Sequence, residues 1–297
     1  MSINDTLSGI DTSGVSVVIP TLGGESLFKT VDYLNEGSMI PDEILVCIPD
    51  DQFYRAESLS HENLRVIKTT FYGQVAQRAT GFQQAKNPWV LQLDDDILLA
   101  KDCLENLLVY AKTHDNSSVG PKLFDKETSQ YHSYMIPDKK QYLYKKMLFL
   151  VINGMQGYVP GKISKAGINM GIPLGTEDCN NIEWLPGGCI LHRKDNLILY
   201  NYYPFKGKAF AEDLYYSALI RQRGVNLCRC GNASCYVDFS HDINTSMVNY
   251  VRSYLKNRVA LLEFVRRTDK SVFRLNVFLV LNVLQLFMKY LFKSRYN

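Results

Sequence analysis

Three adjacent carboxylates, Asp94, Asp95 and Asp96, follow directly on the apolar run at positions 89–93. The run has the composition of a buried strand. A strand that ends in this way holds its last side chains at the rim of an α/β sheet, where such folds bind ligands. Carboxylates this close repel one another unless a cation compensates them. A solvated acidic turn is the alternative, but the buried strand favours a divalent metal with oxygen ligands.

A second acidic pair, Glu212 and Asp213, opens a predicted helix that ends near Arg223, just before Gly224. Carboxylates at a helix start are favourable in any case because they interact with the helix dipole. Taken alone, the pair therefore has a purely structural explanation. It becomes a candidate acid–base pair only together with the first acidic cluster.

Cysteine and histidine spacing was considered for a zinc site. Cys228, Cys230, Cys235 and His241 lie in one region but lack paired C-x-x-C knuckles. Buried free thiols are the better interpretation. The seven cysteines follow no disulfide framework, which favours a reducing compartment.

Apolar runs alternate with helical patterns in the first part of the chain. The predicted strands lie at 15–20, 43–48, 64–67 and 89–93, and the predicted helices at 26–35, 74–85 and 101–113. This alternation predicts an α/β fold with a mostly parallel sheet covered on both faces. Residues 124–181 mix lysines with tyrosines. They predict either a loop-rich insertion that contacts a substrate or a helix-bearing surface excursion.

The charge of the 297-residue chain is unevenly distributed. Its net charge is +3, but residues 250–297 carry ten Lys or Arg against two Asp or Glu. A basic, apolar tail on an acidic body indicates an anionic surface, either membrane or nucleic acid. Nucleic acid is disfavoured because the charges flank long apolar runs and form no polar stripe with stacking aromatics.

Two helices are predicted at the C-terminal end, at 248–267 and 272–292. The longest charge-free run of the second, 275–288, has 14 residues, and a membrane span needs about 20. The helix is therefore expected to lie in a membrane surface, and peripheral membrane contact through 272–292 is predicted. The alternative is a terminal helix packed on the body of the protein or on a second subunit.

Several separate segments share their order and spacing with one known family. Over about residues 15–260 the chain resembles the family 2 glycosyltransferases. The resemblance rests on the opening strand at 17–21, the helix start at 77–81, the aspartates at 94–96, the strand at 187–193, the acidic helix at 211–224, His241 and the helix segment at 256–258. It implies the Rossmann-like GT-A fold, with C-terminal amphipathic helices added.

The resemblance implies a nucleotide diphosphate sugar as the donor, most simply a UDP-sugar. The nucleotide would be contacted by Pro20, Thr21, Asp50, Arg78, Asp94 and Asp95. Mn²⁺ or Mg²⁺ would be held by Asp96, with Asp94 and His241, and would act as a Lewis acid and template. A helix salt bridge is the alternative role for Arg78, and a plain hydrogen-bonded side chain is the alternative for His241.

The resemblance also implies transfer with inversion at the anomeric carbon, which needs a base behind the sugar. Asp213 is the expected base, and Glu212 is expected to orient hydroxyl groups. A positioned base typically contributes about 10²–10⁴ in rate.

The chain departs from the family pattern in three places. The acidic turn that usually follows the second strand is replaced by Cys47-Ile48-Pro49-Asp50-Asp51, in which Asp50 would take over the nucleotide contact one or two positions late. Ala79 stands where the family has Asn. The Q-x-x-R-W signature of processive synthases is absent, which indicates single transfers.

The expected organisation is an N-terminal tail (1–14), a nucleotide-sugar-binding half (15–125), an acceptor-binding half with the base (126–245) and basic, apolar helices (246–297). The tail is polar and lacks the apolar core of a signal peptide. We therefore expect a cytoplasmic protein, peripheral at the inner face of the cell membrane. The expected acceptor is a glycan or a polyprenyl-diphosphate-linked glycan in the biosynthesis of a surface polysaccharide such as O-antigen.

Three other functions are alternatives to a transferase. A sugar-nucleotide pyrophosphorylase would need a cationic loop after the first strand, and Thr21-Leu22-Gly23-Gly24-Glu25 supplies no cation. An aspartyl phosphohydrolase would carry its acidic motif on the first strand. A non-catalytic nucleotide-sugar or membrane-surface binding protein stays as the alternative, although two complete acidic pairs argue against it.

Overall fold

The first strand of the chain is β1, Val15–Pro20, which lies between β2 and β4 in the sheet and in which every residue is buried. The computed structural model of the protein describes residues 14–131, 135–137, 142–174, 177–206, 209–237 and 247–293, without the side chains of 142, 247–252 and 285–293. The other strands are β2 (Glu43–Pro49), β3 (Leu64–Thr69), β4 (Trp89–Leu93), β5 (Ile97–Leu99), β6 (Ser117–Asp125), β7 (Cys179–Ile182), β8 (Cys189–Arg193) and β9 (Asn226–Val237). The helices are α1 (Glu25–Asn35), α2 (Gln74–Gln84), α3 (Cys103–Thr113), α4 (Tyr142–Asn153), α5 (Glu212–Gln222), α6 (Met247–Arg267) and α7 (Val272–Lys293).

The strands form one sheet in the order β3-β2-β1-β4-β8-β6-β9-β5, with β7 added beside β9. The first four strands in this order are parallel, as the alternation of apolar runs and helices predicts. β8 runs antiparallel to both β4 and β6, and β5 and β7 run antiparallel to β9. Within the described residues the sheet is therefore mixed, with parallel pairing among β3, β2, β1 and β4 and between β6 and β9.

Helices cover both faces of the sheet, as predicted. Leu27 and Val31 of α1 and Leu107 of α3 pack in one apolar cluster against one face. Phe82 of α2 and Tyr216 of α5 pack in a second cluster against the other face. A strand whose two faces are both covered is buried at every position, which explains why these runs are apolar almost throughout.

The helix α2 packs unusually close to the sheet because of Gly81. A Cβ atom at this position would stand 2.4 Å from Cγ1 of Val18 and 2.8 Å from Sγ of Cys47. Only glycine permits this approach, which brings the first turns of α2 over the end of β1.

A third apolar cluster lies beside the sheet and contains the C-terminal helices. Leu148 and Phe149 of α4, Phe264 of α6 and Leu275 of α7 are buried there with Tyr215 of α5. The segment 124–181 thus carries a packed helix, in agreement with the second of the two alternatives for it. Within the described part of the chain, no helix combines the length and apolar character needed to cross a membrane.

Candidate active site

A cleft of about 830 Å³ opens at the carboxyl ends of β1 and β4. Its walls come from the turn after β1, the start of α2, the acidic turn after β4, the loop before β8 and the start of α5. The polar and glycine residues among its lining are Thr21, Tyr72, Gly73, Gln74, Gln77, Asp94, Asp95, Asp96, Gly187, Gly188, Glu212 and Asp213. The two acidic clusters singled out in the sequence therefore face one cavity, although more than a hundred residues separate them.

Asp94 is fixed where β4 ends. Its backbone N–H donates to the carbonyl of Gly188 at 2.8 Å. Its Oδ1 accepts hydrogen bonds from Nε2 of Gln74 at 2.7 Å and from Arg78 at 2.9 Å. The second oxygen, Oδ2, lies on the side of Gly188.

Asp95 is tied to the turn after β1. The hydroxyl of Thr21 donates to its carboxylate, and the hydroxyl of Thr30 donates to its backbone carbonyl at 3.0 Å. Burial raises the pKa of Asp95, the hydrogen bond from Thr21 opposes this rise, and the neighbouring charge of Asp94 adds to it. Asp95 thus holds together two walls of the cleft.

Asp96 lines the cleft beside Asp94, and both are half-buried carboxylates at a strand end. Oxygen ligands of this kind suit Mg²⁺ or Mn²⁺. Within the described residues no three His, Cys, Asp or Glu side chains come together as a complete metal site. The pair nevertheless fits a metal that takes its remaining ligands from a diphosphate and water. His241, the third expected ligand, lies outside the described residues.

Arg78 lies beneath the cleft and is only 2% exposed. One guanidinium nitrogen pairs with Oδ1 of Asp94 at 2.9 Å and the other with Oε1 of Glu212 at 2.8 Å. Burial lowers the pKa of Arg78, but Glu212 and Asp94 outweigh that effect and raise it. Both terminal nitrogens of Arg78 are thus engaged by carboxylates, and its expected contact to the nucleotide diphosphate stays a prediction. These salt bridges join α2 to the end of β4 and to the start of α5, so they differ from the salt bridge within a helix that was the alternative role.

Glu212 is held from two sides. Besides Arg78, the hydroxyl of Tyr202 donates to the same carboxylate oxygen. The residue is 5% exposed, so its position is set by these two partners.

Asp213 stands next to Glu212 with a different environment. Its Oδ1 accepts a hydrogen bond from the backbone N–H of Leu214 at 3.0 Å. Burial, reinforced by the charge of Glu212, raises the pKa of Asp213 to about 7. A carboxyl group with a pKa near neutrality can exchange a proton at physiological pH.

The loop before β8 separates the two acidic groups. A Cβ at Gly187 would stand 2.8 Å from Oε2 of Glu212, and one at Gly188 would stand 3.3 Å from Oδ2 of Asp94. Each carboxylate therefore approaches the backbone of one of these two adjacent glycines, and a side chain at that glycine would crowd it.

The remaining expected nucleotide contacts divide into two groups. Pro20 and Thr21 line the cleft as expected. Asp50 is outside the residues that line it: its side chain is 66% exposed and pairs with Nζ of Lys68 at 3.1 Å. The cause is the short 3₁₀ segment Asp50–Arg55, which begins at the end of β2 and turns Asp50 toward β3.

The cysteines are free thiols, and six of the seven are buried. Burial raises the pKa of Cys228, Cys230 and Cys235, which keeps these side chains in the neutral thiol form. This agrees with the interpretation of these cysteines as buried free thiols.

Sequence reasoning missed three residues around the carboxylates. Gln74 and Gln77 precede Arg78 at spacings that place all three on one side of α2, a signal that could have found them. Gln77 donates to the carbonyl of Thr21 at 2.7 Å and to that of Cys47 at 2.8 Å. Tyr202 gave no signal, because only the fold brings it to Glu212.

Comparison with known proteins places this geometry in a family. The model of glycosyl transferase family 2 matches residues 16–161, about half of the chain. A search of curated protein sequences gave no significant match.

Solved structures share the fold at low sequence identity. GalNAc-T7 crystallised with UDP, GalNAc and Mn²⁺ has a TM-score of 0.59 and 15% identity, covering 85% of this chain and 48% of that one. TarS 1–349 of S. aureus has a TM-score of 0.51 and 17% identity, covering 90% of this chain and 69% of that one. The same TarS fragment with UDP-GlcNAc has a TM-score of 0.51, 16% identity, and coverage of 90% and 70%.

The chain thus spans about half the length of the GalNAc-T7 structure. The family match, the shared fold and the expectations from the sequence motifs agree with one another. Residues 16–161 thus carry the glycosyl transferase family 2 pattern, and the chain has the GT-A fold of these glycosyltransferase structures.

Proposed function

We propose that the protein transfers a sugar from a UDP-sugar to an acceptor hydroxyl, with inversion at the anomeric carbon and with help from a divalent metal. One observation carries the proposal. The pair Asp94 and Asp96 and the pair Glu212 and Asp213 line the same cleft of about 830 Å³. A donor held by the first pair would present its anomeric carbon toward the second.

The donor side follows from the carboxylates and from the neighbouring structures. Asp96 and Asp94 would hold Mn²⁺ or Mg²⁺, which when bound neutralises charge on the departing diphosphate. Pro20 and Thr21 would contact the nucleotide, and Asp95 would keep Thr21 in place through their hydrogen bond. A UDP donor is supported by the structures of GalNAc-T7 with UDP and TarS with UDP-GlcNAc.

The acceptor side centres on Asp213. As the acceptor oxygen attacks the anomeric carbon, the bond from that carbon to the diphosphate oxygen breaks, and the diphosphate leaves with the electron pair. The acceptor proton passes to the Asp213 carboxylate. The pKa of about 7 suits this transfer near neutral pH. Glu212, fixed by Arg78 and Tyr202, would orient a hydroxyl of the acceptor or donor.

Three segments of the chain would have different roles in this reaction. Residues 15–125 would bind the nucleotide sugar, and residues 126–245 would bind the acceptor and supply the base. Residues 246–297 would place the enzyme at the inner face of the cell membrane through α7. The acceptor would be a glycan or a polyprenyl-diphosphate-linked glycan of a surface polysaccharide.

Turnover by the Asp213→Asn variant tests the proposed base. UDP release is measured with UDP-glucose, UDP-galactose and their N-acetyl forms in the presence of Mn²⁺ and a lipid-diphosphate acceptor. We expect the variant to lose about 10²–10⁴-fold in kcat, while its calorimetric affinity for UDP with Mn²⁺ stays that of the wild type.

The matched control is Asp102→Asn, a carboxylate removed at the start of α3, away from the cleft lining, which should leave kcat unchanged. Transfer by Asp213→Asn at a near wild-type rate would remove Asp213 as the base. The alternative function, a binding protein without turnover, predicts UDP binding by the wild type but no UDP release with any donor.

The metal is tested by Asp96→Ala, which should weaken UDP binding with Mn²⁺ and leave binding without metal unchanged.

A further inference from the structure

The helix α7 has two apolar faces. Leu275, Phe278 and Leu279 are at most 7% exposed and pack in the cluster beside the sheet. On the opposite side, Phe273, Val280 and Leu284 are 77%, 58% and 54% exposed. Their spacing of seven and four residues puts them on one stripe. Packing on the body thus accounts for only one of the two faces.

A similar exposed face lies on α4. Leu143, Met147 and Leu150 follow one another at spacings of four and three and are 73%, 61% and 40% exposed. Met155, in the turn after α4, is 94% exposed. A packed soluble helix usually presents charged or polar residues at such positions.

The two helices are fastened together where these faces meet. Nη1 of Arg274 donates to the carbonyl of Val151 at 2.6 Å and to that of Leu150 at 3.3 Å. Leu150 is itself exposed, and exposed Phe273 is the chain neighbour of Arg274. We call the six residues Leu143, Met147, Leu150, Phe273, Val280 and Leu284 the α4–α7 apolar surface.

The charge around this surface identifies its occupant. Neither α4 nor α7 contains an Asp or Glu, whereas α4 carries Lys145 and Lys146. On α6, exposed Lys256 and Arg258 alternate with Leu255 and Val259, each 51% exposed. The acidic side chain of α6, Glu263, is paired with Arg267 at 2.8 Å. Apolar residues rimmed by cations fit the interface of an anionic lipid bilayer.

We propose that α4 and α7 dock side by side on an anionic lipid surface, with the α4–α7 apolar surface at the bilayer interface. This extends the membrane contact proposed above for α7, and it assigns α4 to the lipid surface and not to a soluble substrate. The same apolar cluster packs against α5: the hydroxyl of Tyr215 donates to the carbonyl of Ala260 at 2.8 Å. The helix that carries Asp213 therefore packs in the same apolar cluster as the buried sides of α4 and α7.

Vesicle flotation of the full chain tests the proposal. The probes are vesicles of phosphatidylcholine alone and vesicles of equal parts phosphatidylcholine and phosphatidylglycerol. The α4 variant is Leu143→Glu/Met147→Glu, and the α7 variant is Val280→Glu/Leu284→Glu. The matched control is Val109→Glu/Leu199→Glu. It changes two apolar residues that are 49% and 43% exposed and lie outside the α4–α7 apolar surface.

We expect the wild type and the control to float with the anionic vesicles only. Each of the two double variants should lose about tenfold or more in vesicle-bound fraction, because each loses apolar contact and adds charges that anionic lipid repels. UDP release without vesicles should be unchanged in all four proteins, which shows that the variants are folded.

Two results would overturn the proposal. In the first, the α4 variant floats like the wild type, which leaves membrane contact to α7 alone. In the second, the wild type does not float and sediments as a dimer that both variants disrupt, which makes a second copy the occupant. A wild type that floats but never releases UDP would contradict the proposed transfer and leave the docking surface standing.

Discussion

Glu212 and Asp213 are neighbours in the chain, but the fold gives them different partners. Glu212 meets the Arg78 guanidinium and the Tyr202 hydroxyl, which hold its carboxylate in one place. Asp213 lines the cleft, and the hydrogen bond to its side chain comes from the backbone of Leu214. One carboxylate is thus fixed by side chains, while the other has a raised pKa and an oxygen available to a proton.

At the residue scale, the pH dependence of turnover should report Asp213. Its pKa is raised to about 7, so below this pH the group is protonated and cannot accept the acceptor proton. We expect kcat/KM to rise with pH through about 7 and then level off. Initial rates in a series of buffers at constant ionic strength measure this limb.

The raised pKa of Asp213 also makes the stability of the protein depend on pH. The folded protein binds the Asp213 proton more tightly than the unfolded chain does. The group therefore stabilises the fold fully below its unfolded pKa of 3.8. This stabilisation is lost as the pH rises through the folded pKa of about 7. Asp213→Asn should therefore raise the melting temperature more at alkaline than at acid pH. An increase of the same size at both pH values would mean that Asp213 has an ordinary pKa.

At the scale of elements, the loop before β8 sets the distance between the two acidic groups. Its glycines let the backbone approach both carboxylates, and this loop is itself held by a hydrogen bond from Gln92 of β4 to the carbonyl of Gly187. The contacts among this loop, β4 and the start of α5 therefore support the relative position of the two acidic pairs.

Gly187→Ala should disturb this support. The new Cβ would stand 2.8 Å from Oε2 of Glu212, so the Glu212 carboxylate must shift, and it would be in van der Waals contact with Cβ of Asp213 at 3.7 Å. A displacement of about 1 Å can cost on the order of 10² in rate. We expect kcat measured by UDP release to fall by about that factor, with UDP affinity unchanged.

Gly157→Ala is the matched control. A Cβ there meets nothing within 4 Å, but the residue has φ +61°, a conformation that strains alanine. It should lower the melting temperature and leave kcat unchanged. If both variants kept full kcat, the loop would not control the position of the acidic pair.

The elements that could be predicted from sequence are those with local signals. The apolar runs of β1, β2 and β4 and the helical patterns between them predict parallel strands that alternate with helices, and the cleft lies where β4 ends in carboxylates. The antiparallel placement of β8 between β4 and β6 could not be predicted, because it depends on pairings such as Leu91 with Leu191, a hundred residues apart. The position of Asp50 could not be predicted for the opposite reason. The local 3₁₀ turn after β2, which the family pattern does not contain, places Asp50 outside the residues that line the cleft.

At the scale of the whole molecule, Arg78 joins the two halves of the site. It comes from α2, packed on the parallel part of the sheet, and it contacts Asp94 at the end of β4 and Glu212 at the start of α5. The proposed donor and acceptor halves therefore meet at one buried cation, and the site cannot form in either half alone.

Arg78→Met should consequently destabilise the whole fold and not only lower turnover. Removing one partner from a buried ion pair typically costs about 3–5 kcal/mol, because it leaves uncompensated charge. We expect a loss near the lower end, since Asp94 is 26% exposed and water screens it. Urea unfolding followed by tryptophan fluorescence measures the change. The double variant Arg78→Met/Glu212→Gln should recover part of the loss, because it removes the buried carboxylate that Arg78→Met leaves unpaired. If Arg78→Met were as stable as the wild type, the ion pairs would be incidental, and the two halves would have to be held together by the apolar clusters alone.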